Sequence, residues 1–218
     1  MRKLRSSVKN LSGCRSTQEI SFEYNASDAE ILFMSIDNIQ FKVHSYMLRA
    51  NSAVFRDLLG DTSSKPTFQP IRIDATSTDF TCFLNFLYQS HPTLPSSWTQ
   101  AEVVSELCDR YKCDIIKERM MLALRSFSPK RPWEAFCFAS HHDDIILARH
   151  ALQSLGLDKK RKNATSTETT LEDASKATLP YLLGYFDLCN MLEPPLIYRS
   201  GLLEKDWNTL GSWFTPRK

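Results

Sequence analysis

The 218-residue sequence predicts an α+β fold rich in helix: a small three-stranded sheet capped by helices, followed by an all-α extension. Three observations carry that expectation. Segments 29–36, 40–44 and 71–73 are short and have the apolar or alternating pattern of strands. Helical apolar spacing governs the stretches after each of the last two. A Pro-rich break, Ser128-Pro129-Lys130-Arg131-Pro132, then separates two groups of helices.

The elements follow in order. Residues 1–21 form a basic, Ser-rich arm, read as mobile, with ordered sequence from about Phe22. Ala29–Ile36 is the first strand, Asp37-Asn38 the turn, and Gln40–His44 the second strand of a hairpin. Tyr46, Met47, Ala50, Val54, Leu58 and Leu59 recur at helical spacing, and Asn51-Ser52 divides that stretch into two short helices. Gly60–Pro70 is a loop by composition, and Ile71–Ile73 a short strand. Thr76–Asp79 offers hydroxyl caps and an early acid to a helix with Phe80, Phe83, Leu84, Leu87 and Tyr88 on its apolar face.

Beyond a Pro-containing connection, Thr99 and Glu102 are spaced as a capping box for a helix carrying Val103, Val104, Leu107, Cys108 and Tyr111. Asp114 is placed to cap the next. The domain spans 22–127, and a helical extension over 128–157 contains helices near 132–140 and 143–154. A polar linker covers 158–171. The tail, 172–218, holds one helix to about 192, with Pro180 near its start or at a kink. Trp207, Trp213 and Phe214 predict some packing beyond it.

Composition narrows the function. Apolar residues make up 42% and charged residues 24%, the balance of a globular chain. The net charge of +2 is a sum of unlike pieces. Residues 1–15 carry five basic groups and no acid, while residues 16–127 carry 10 basic and 14 acidic groups. Such a body is no uniformly basic nucleic-acid binder. Six cysteines are too sparse for a disulfide scaffold, and no apolar run suits a signal peptide or a spanning helix. The expectation is a reducing compartment, cytoplasmic or nuclear, with no membrane contact.

The order of elements and several motifs together resemble the BTB (POZ) domain. Asp28 stands before the first strand, as in the family's opening motif. Phe41-Lys42-Val43-His44 is similar to its F-x-V-H. The run from Met47 through Leu48 and Ser52 to Phe55 is similar to its I-L-x-x-x-S-x-V-F. Ile71–Asp74 resembles the third strand, Phe80 to Tyr88 resembles F-x-x-x-L-x-F-L-Y, and Leu107 to Tyr111 ends like A-x-x-Y. The match covers roughly 22–125, and the helices at 132–157 resemble the start of the helical (BACK-like) extension that often follows. The resemblance implies a non-catalytic module that works through protein partners. It implies self-association, as a homo- or heterodimer, through the surface around Ser45, Tyr46, Arg49, Asn51, Leu58 and Leu59.

Two further family roles are set against this sequence. Cullin-binding members often carry a hydrophobic-x-Glu motif after the first helix pair. No Glu occurs from 31 to 101, so an adaptor role in a cullin-type ubiquitin ligase is weakened. Corepressor-binding members set a basic residue just after the strand-two His, where this chain has Ser45. A nuclear transcription-regulatory role therefore lacks its charged pocket.

The residues support no chemistry. No two of the six glycines lie closer than ten residues, which excludes a phosphate-cradling loop and the nucleotide cofactor it would hold. Cys108-x4-Cys113 lacks a second ligand pair, and His141-His142-Asp143-Asp144 with His150 cannot converge from one helix. No nucleophile motif occurs, so neither catalysis nor a small-molecule substrate is expected. His44 is read as a structural imidazole that bonds backbone and locks the strand-to-helix turn, and Asp28 as a backbone-pairing carboxylate. Lys159-Lys160-Arg161-Lys162 is a solubilising linker charge or an import signal, without the aromatics or zinc module of a nucleic-acid reader.

Overall fold

The computed structural model describes residues 19–60, 69–155, 169–192 and 207–217. The arm before residue 19, most of the loop after Gly60 and the cationic run Lys159–Lys162 lie outside them.

The sheet forms around the expected hairpin. Strands β2 (Ile31–Met34) and β3 (Ile39–Val43) pair antiparallel, Ile31 opposite Val43 and Phe33 opposite Phe41. Asn38 turns the chain at φ 63°, a left-handed conformation that Asn tolerates. Ser35 closes the turn, its N–H donating to the Ile39 carbonyl at 3.0 Å. The two-residue strand β4 (Ile71–Arg72) adds parallel to β2.

The sheet has a fourth strand that the three-strand expectation omits. β1 (Glu19–Asn25) adds parallel to β3, giving the order β1-β3-β2-β4. Its residues 19–21 fall inside the segment expected as an arm. The alternation Ile20-Ser21-Phe22-Glu23-Tyr24 was the available signal. Only Tyr24 of that face is buried, and Phe22 is 100% exposed.

Helices α1 (Ser45–Asn51) and α2 (Ala53–Leu59) are separated by Ser52 alone. Ser52 is extended at φ −134° and serves both: its N–H bonds the Leu48 carbonyl, and its Oγ accepts the Phe55 N–H at 3.0 Å. The expected apolar face is partly outward. Leu48 and Phe55 are the buried anchors, whereas Tyr46, Ala50 and Leu58 point to solvent. The pair lies on the domain surface, so only one narrow stripe is covered.

α3 (Ser77–Tyr88) starts at Thr76, whose Oγ1 accepts the Asp79 N–H as expected. Asp37 reinforces that start, accepting the Ser77 N–H at 2.9 Å. α4 (Trp98–Arg110) corrects the capping box. Its cap is Ser97, which accepts the Gln100 N–H, and Gln100 Oε1 reaches back to the Ser96 N–H at 2.8 Å. Thr99 already lies within the helix.

α4 ends in a Schellman motif. Lys112 is left-handed at φ 51°, and the Cys113 N–H bonds the Cys108 carbonyl at 2.8 Å. This turn feeds directly into α5 (Asp114–Phe127), so Asp114 is the first helical residue rather than the cap. Ser128–Lys130 is a single 3-10 turn with Ser128 buried.

The same motif joins α6 (Pro132–His141) to α7 (Ile145–Leu155), with Asp143 at φ 50° and Asp144 N–H on the Ala139 carbonyl. Asp144 then caps α7 through the Leu147 N–H. The single helix expected near 172–192 is two, α8 (Leu171–Ala174) and α9 (Leu179–Leu192). Thr178 breaks the run, because its N–H and hydroxyl bond Ser140 at the end of α6. Pro180 then fits the first turn of α9, where no N–H is needed. α10 (Trp207–Trp213) lies against α7.

One apolar core runs through the described residues from Tyr24 to Phe214. Phe33, Phe41, Phe55, Phe80 and Phe83 form its sheet-side aromatic cluster, with Phe41 edge-on to Phe80 at 5.0 Å.

Candidate functional site

The residues expected to matter gather into two clusters that frame α1 and α2. The first joins Asp28, His44 and Tyr88. The Tyr88 hydroxyl accepts the His44 backbone N–H at 2.8 Å and lies 3.0 Å from Nδ1 of the same residue. His44 Nε2 is 3.3 Å from Asp28 Oδ1. The imidazole thus bonds two side chains, not backbone as expected. Asp28's own backbone N–H, and after it the imidazole it pairs with, hold its carboxyl below the ordinary range. Burial pushes the Tyr88 phenol up to about 12, so it stays neutral and keeps its proton for bonding.

The second cluster joins Ser52, Phe55 and Tyr111. Ser52 Oγ donates to the Tyr111 carbonyl, and Phe55 stacks on the Tyr111 ring at 4.7 Å. One buried serine therefore fixes the bend between α1 and α2 and anchors it to the end of α4.

Between these clusters the expected partner surface divides. Ser45 gives its N–H to Glu30 at 3.0 Å, which holds the Glu30 carboxyl below its ordinary value. Asn51 donates to the Met47 carbonyl, and the Arg49 carbonyl receives Arg56 Nε. Leu59 is half-buried against the core. Tyr46 and Leu58 remain outward, at 61% and 65% exposure. Tyr46 is braced by the His44 ring at 5.3 Å.

Three supporting groups escaped sequence reasoning. Glu30 carries no local signal, because its partner is fifteen residues on. Arg119 caps α3 from α5, donating to the carbonyls of Phe86, Gln89 and Ser90. Asn85 accepts from both Tyr24 and Gln89 and so fastens β1 to α3.

The metal candidates are otherwise engaged. Cys108 and Cys113 are buried core thiols. His141 meets the Lys176 carbonyl, His142 packs on Phe138 at 4.4 Å, and Asp143 accepts the Tyr181 hydroxyl. Among the described residues no group of three His, Cys, Asp or Glu side chains could hold a metal ion. A cleft of about 840 Å³ lies between α5 and the α6–α7 turn. Its walls mix Met121, Leu122 and Ile146 with the carboxylates of Asp114, Glu118 and Asp144.

Residues 21–128 match the BTB/POZ domain family. The chain is a BTB/POZ-domain protein. BTB/POZ domains are protein–protein interaction modules and do not form an enzyme family. The match begins within β1 and ends at the 3-10 turn, so the BTB/POZ domain holds both clusters and the whole α1–α2 surface. No curated protein matches the chain. No helix among the described residues is long and apolar enough to cross a membrane.

Proposed function

We propose that this BTB/POZ domain self-associates through the outer face of α1 and α2 and docks partner proteins around it. The outward placement of Tyr46 and Leu58, on a helix pair fixed from below, carries the reading. Rigid support matters because an exposed apolar side chain gains most from burial when little ordering is needed to bury it. A two-fold contact sets the same patch against itself and covers four such side chains at once.

Light scattering tests it. The expected mass is that of a dimer or larger assembly, shifting to the monomer in a Tyr46→Asp, Leu58→Asp double variant. A concentration-independent monomer mass for the unmodified chain overturns the reading. The surroundings favour this role over corepressor docking. Ser45 stands where the cation is wanted, and its N–H is taken by the Glu30 carboxylate, so that position carries an acid and no base. The missing Glu likewise leads us to expect no stoichiometric complex with a cullin N-terminal domain, which a pull-down checks.

A further inference from the structure

The last described segment, Trp207–Arg217, is held in the manner of a docked peptide. Its anchors are three buried side chains, Trp207, Leu210 and Phe214. Trp207 stacks on Tyr185 of α9 at 5.7 Å and 9°. Phe214 fits between Phe136 of α6 and Tyr181 of α9, 5.4 Å from each ring. Helix side chains also take its backbone carbonyls: Arg149 Nε donates to the Phe214 carbonyl at 2.9 Å, and Gln153 to that of Asn208. The Arg217 N–H bonds the Pro180 carbonyl, and its guanidinium pairs with Asp187.

Two glycines shape the fit from opposite sides. A Cβ on Gly184 of α9 would stand 2.5 Å from the Thr215 carbonyl oxygen. One on Gly211 of the segment would stand 2.6 Å from the Gln153 nitrogen of α7. Groove and segment are therefore notched for each other, with aromatic anchors, captured carbonyls and an ion pair at one end. These are the marks of linear-motif recognition. By sequence, fourteen residues, 193–206, join the segment to α9. Nothing in its contacts depends on which chain supplies it.

We infer that the α6–α7–α9 surface is a peptide-docking groove filled in cis by Trp207–Arg217, and that the same segment of a second copy can take its place. The committed occupant is a second copy because its segment is the sequence that the notches fit. The exposed groove would uncover Phe136, Tyr181 and Tyr185, so exchange proceeds by replacement, not by a standing vacancy. The tether sets the balance. A tethered ligand acts at an effective concentration in the millimolar range, so a free one competes weakly until the tether is cut.

The test uses the full chain with a protease site placed between residues 193 and 206. After cleavage, a fluorescein-labelled peptide of residues 207–218 is added. The expected result is exchange to one label per chain, competed by unlabelled peptide and lost with Phe214→Ala in the peptide. The uncut chain should bind the label at least about tenfold more weakly. Equal binding to cut and uncut chains overturns the inference, because the peptide then sits elsewhere. A folded, cut chain that refuses the label also overturns it. So does a loss of helical circular dichroism larger than the seven residues of α10 account for when the segment leaves, which would make the segment an inseparable part of the core.

Discussion

The hydroxyl of Tyr88, at the last residue of α3, accepts the backbone N–H of His44 at the strand-to-helix corner, 44 residues earlier. The same oxygen faces Nδ1 of His44. A phenol has one proton to give. With the N–H already on the oxygen, a neutral imidazole completes the set as the Nε2–H tautomer, donating outward to Asp28. The corner is thereby held from both sides.

Removing either partner should cost about 1–2 kcal/mol, since a part-buried donor or acceptor loses its bond. His44→Ala and Tyr88→Phe together should cost less than their sum, by about 0.5 kcal/mol or more, because they share one interaction. Denaturant unfolding of the two single variants and the double variant measures this. Strict additivity would mean that the hydroxyl and the imidazole act separately.

Acid should loosen the same corner. Asp28 is held below its ordinary 3.8 by its own N–H and by His44, and Glu30 below its ordinary 4.5 by the Ser45 N–H. A carboxyl depressed in the folded state adds stability above its unfolded value and loses it as pH falls through its folded value. Stability should therefore be level above about pH 5 and fall below that, less steeply in Glu30→Gln. Urea midpoints across that range read it. An unchanged acid limb in the variant would remove Glu30 from the account.

Ser52→Ala should destabilise by about 1–2 kcal/mol through the lost cap of α2. The Tyr111 carbonyl also loses its donor. The loss should be accompanied by lower apparent dimer affinity, since the bend positions Tyr46 and Leu58. A variant of reduced stability but unchanged association would separate the bend from the surface.

The five described cysteines are all buried. Burial pushes Cys82 and Cys113 up to about 11, and Cys108 higher still. Thiolate is the reactive form, so these three should resist a disulfide reagent in the folded chain and react together on unfolding. Rapid native labelling of any of them, mapped by mass spectrometry, would contradict this.

Much of the domain was legible because its signals are local. The Asn51-Ser52 break, the Asp37-Asn38 turn and the Thr76 cap each sit within a few residues of what they control. Asp28, His44, Tyr88, Ser52 and Tyr111 stood out in the sequence as motif members, but their partners did not. His44 was expected on backbone and found on two side chains, because its partner Tyr88 lies 44 residues away. The cap of α4 was misplaced by two residues because Ser97/Gln100 and Thr99/Glu102 have the same spacing. Only the preceding chain direction decides between them. α10 was too short to show a period. Its Trp207 and Leu210, and Phe214 just beyond it, gain meaning only against α6, α7 and α9.

The core passes residue 128 without interruption. Trp98 of the BTB/POZ domain packs on Phe138 of the extension at 5.3 Å, and α5 and the 3-10 turn both lie against α7. The family match thus stops at a place where the packing does not. For exchange of parts between proteins, the movable piece is larger than the recognised domain. A cut at 128 severs a shared interior, and the extension has to travel with the module it continues.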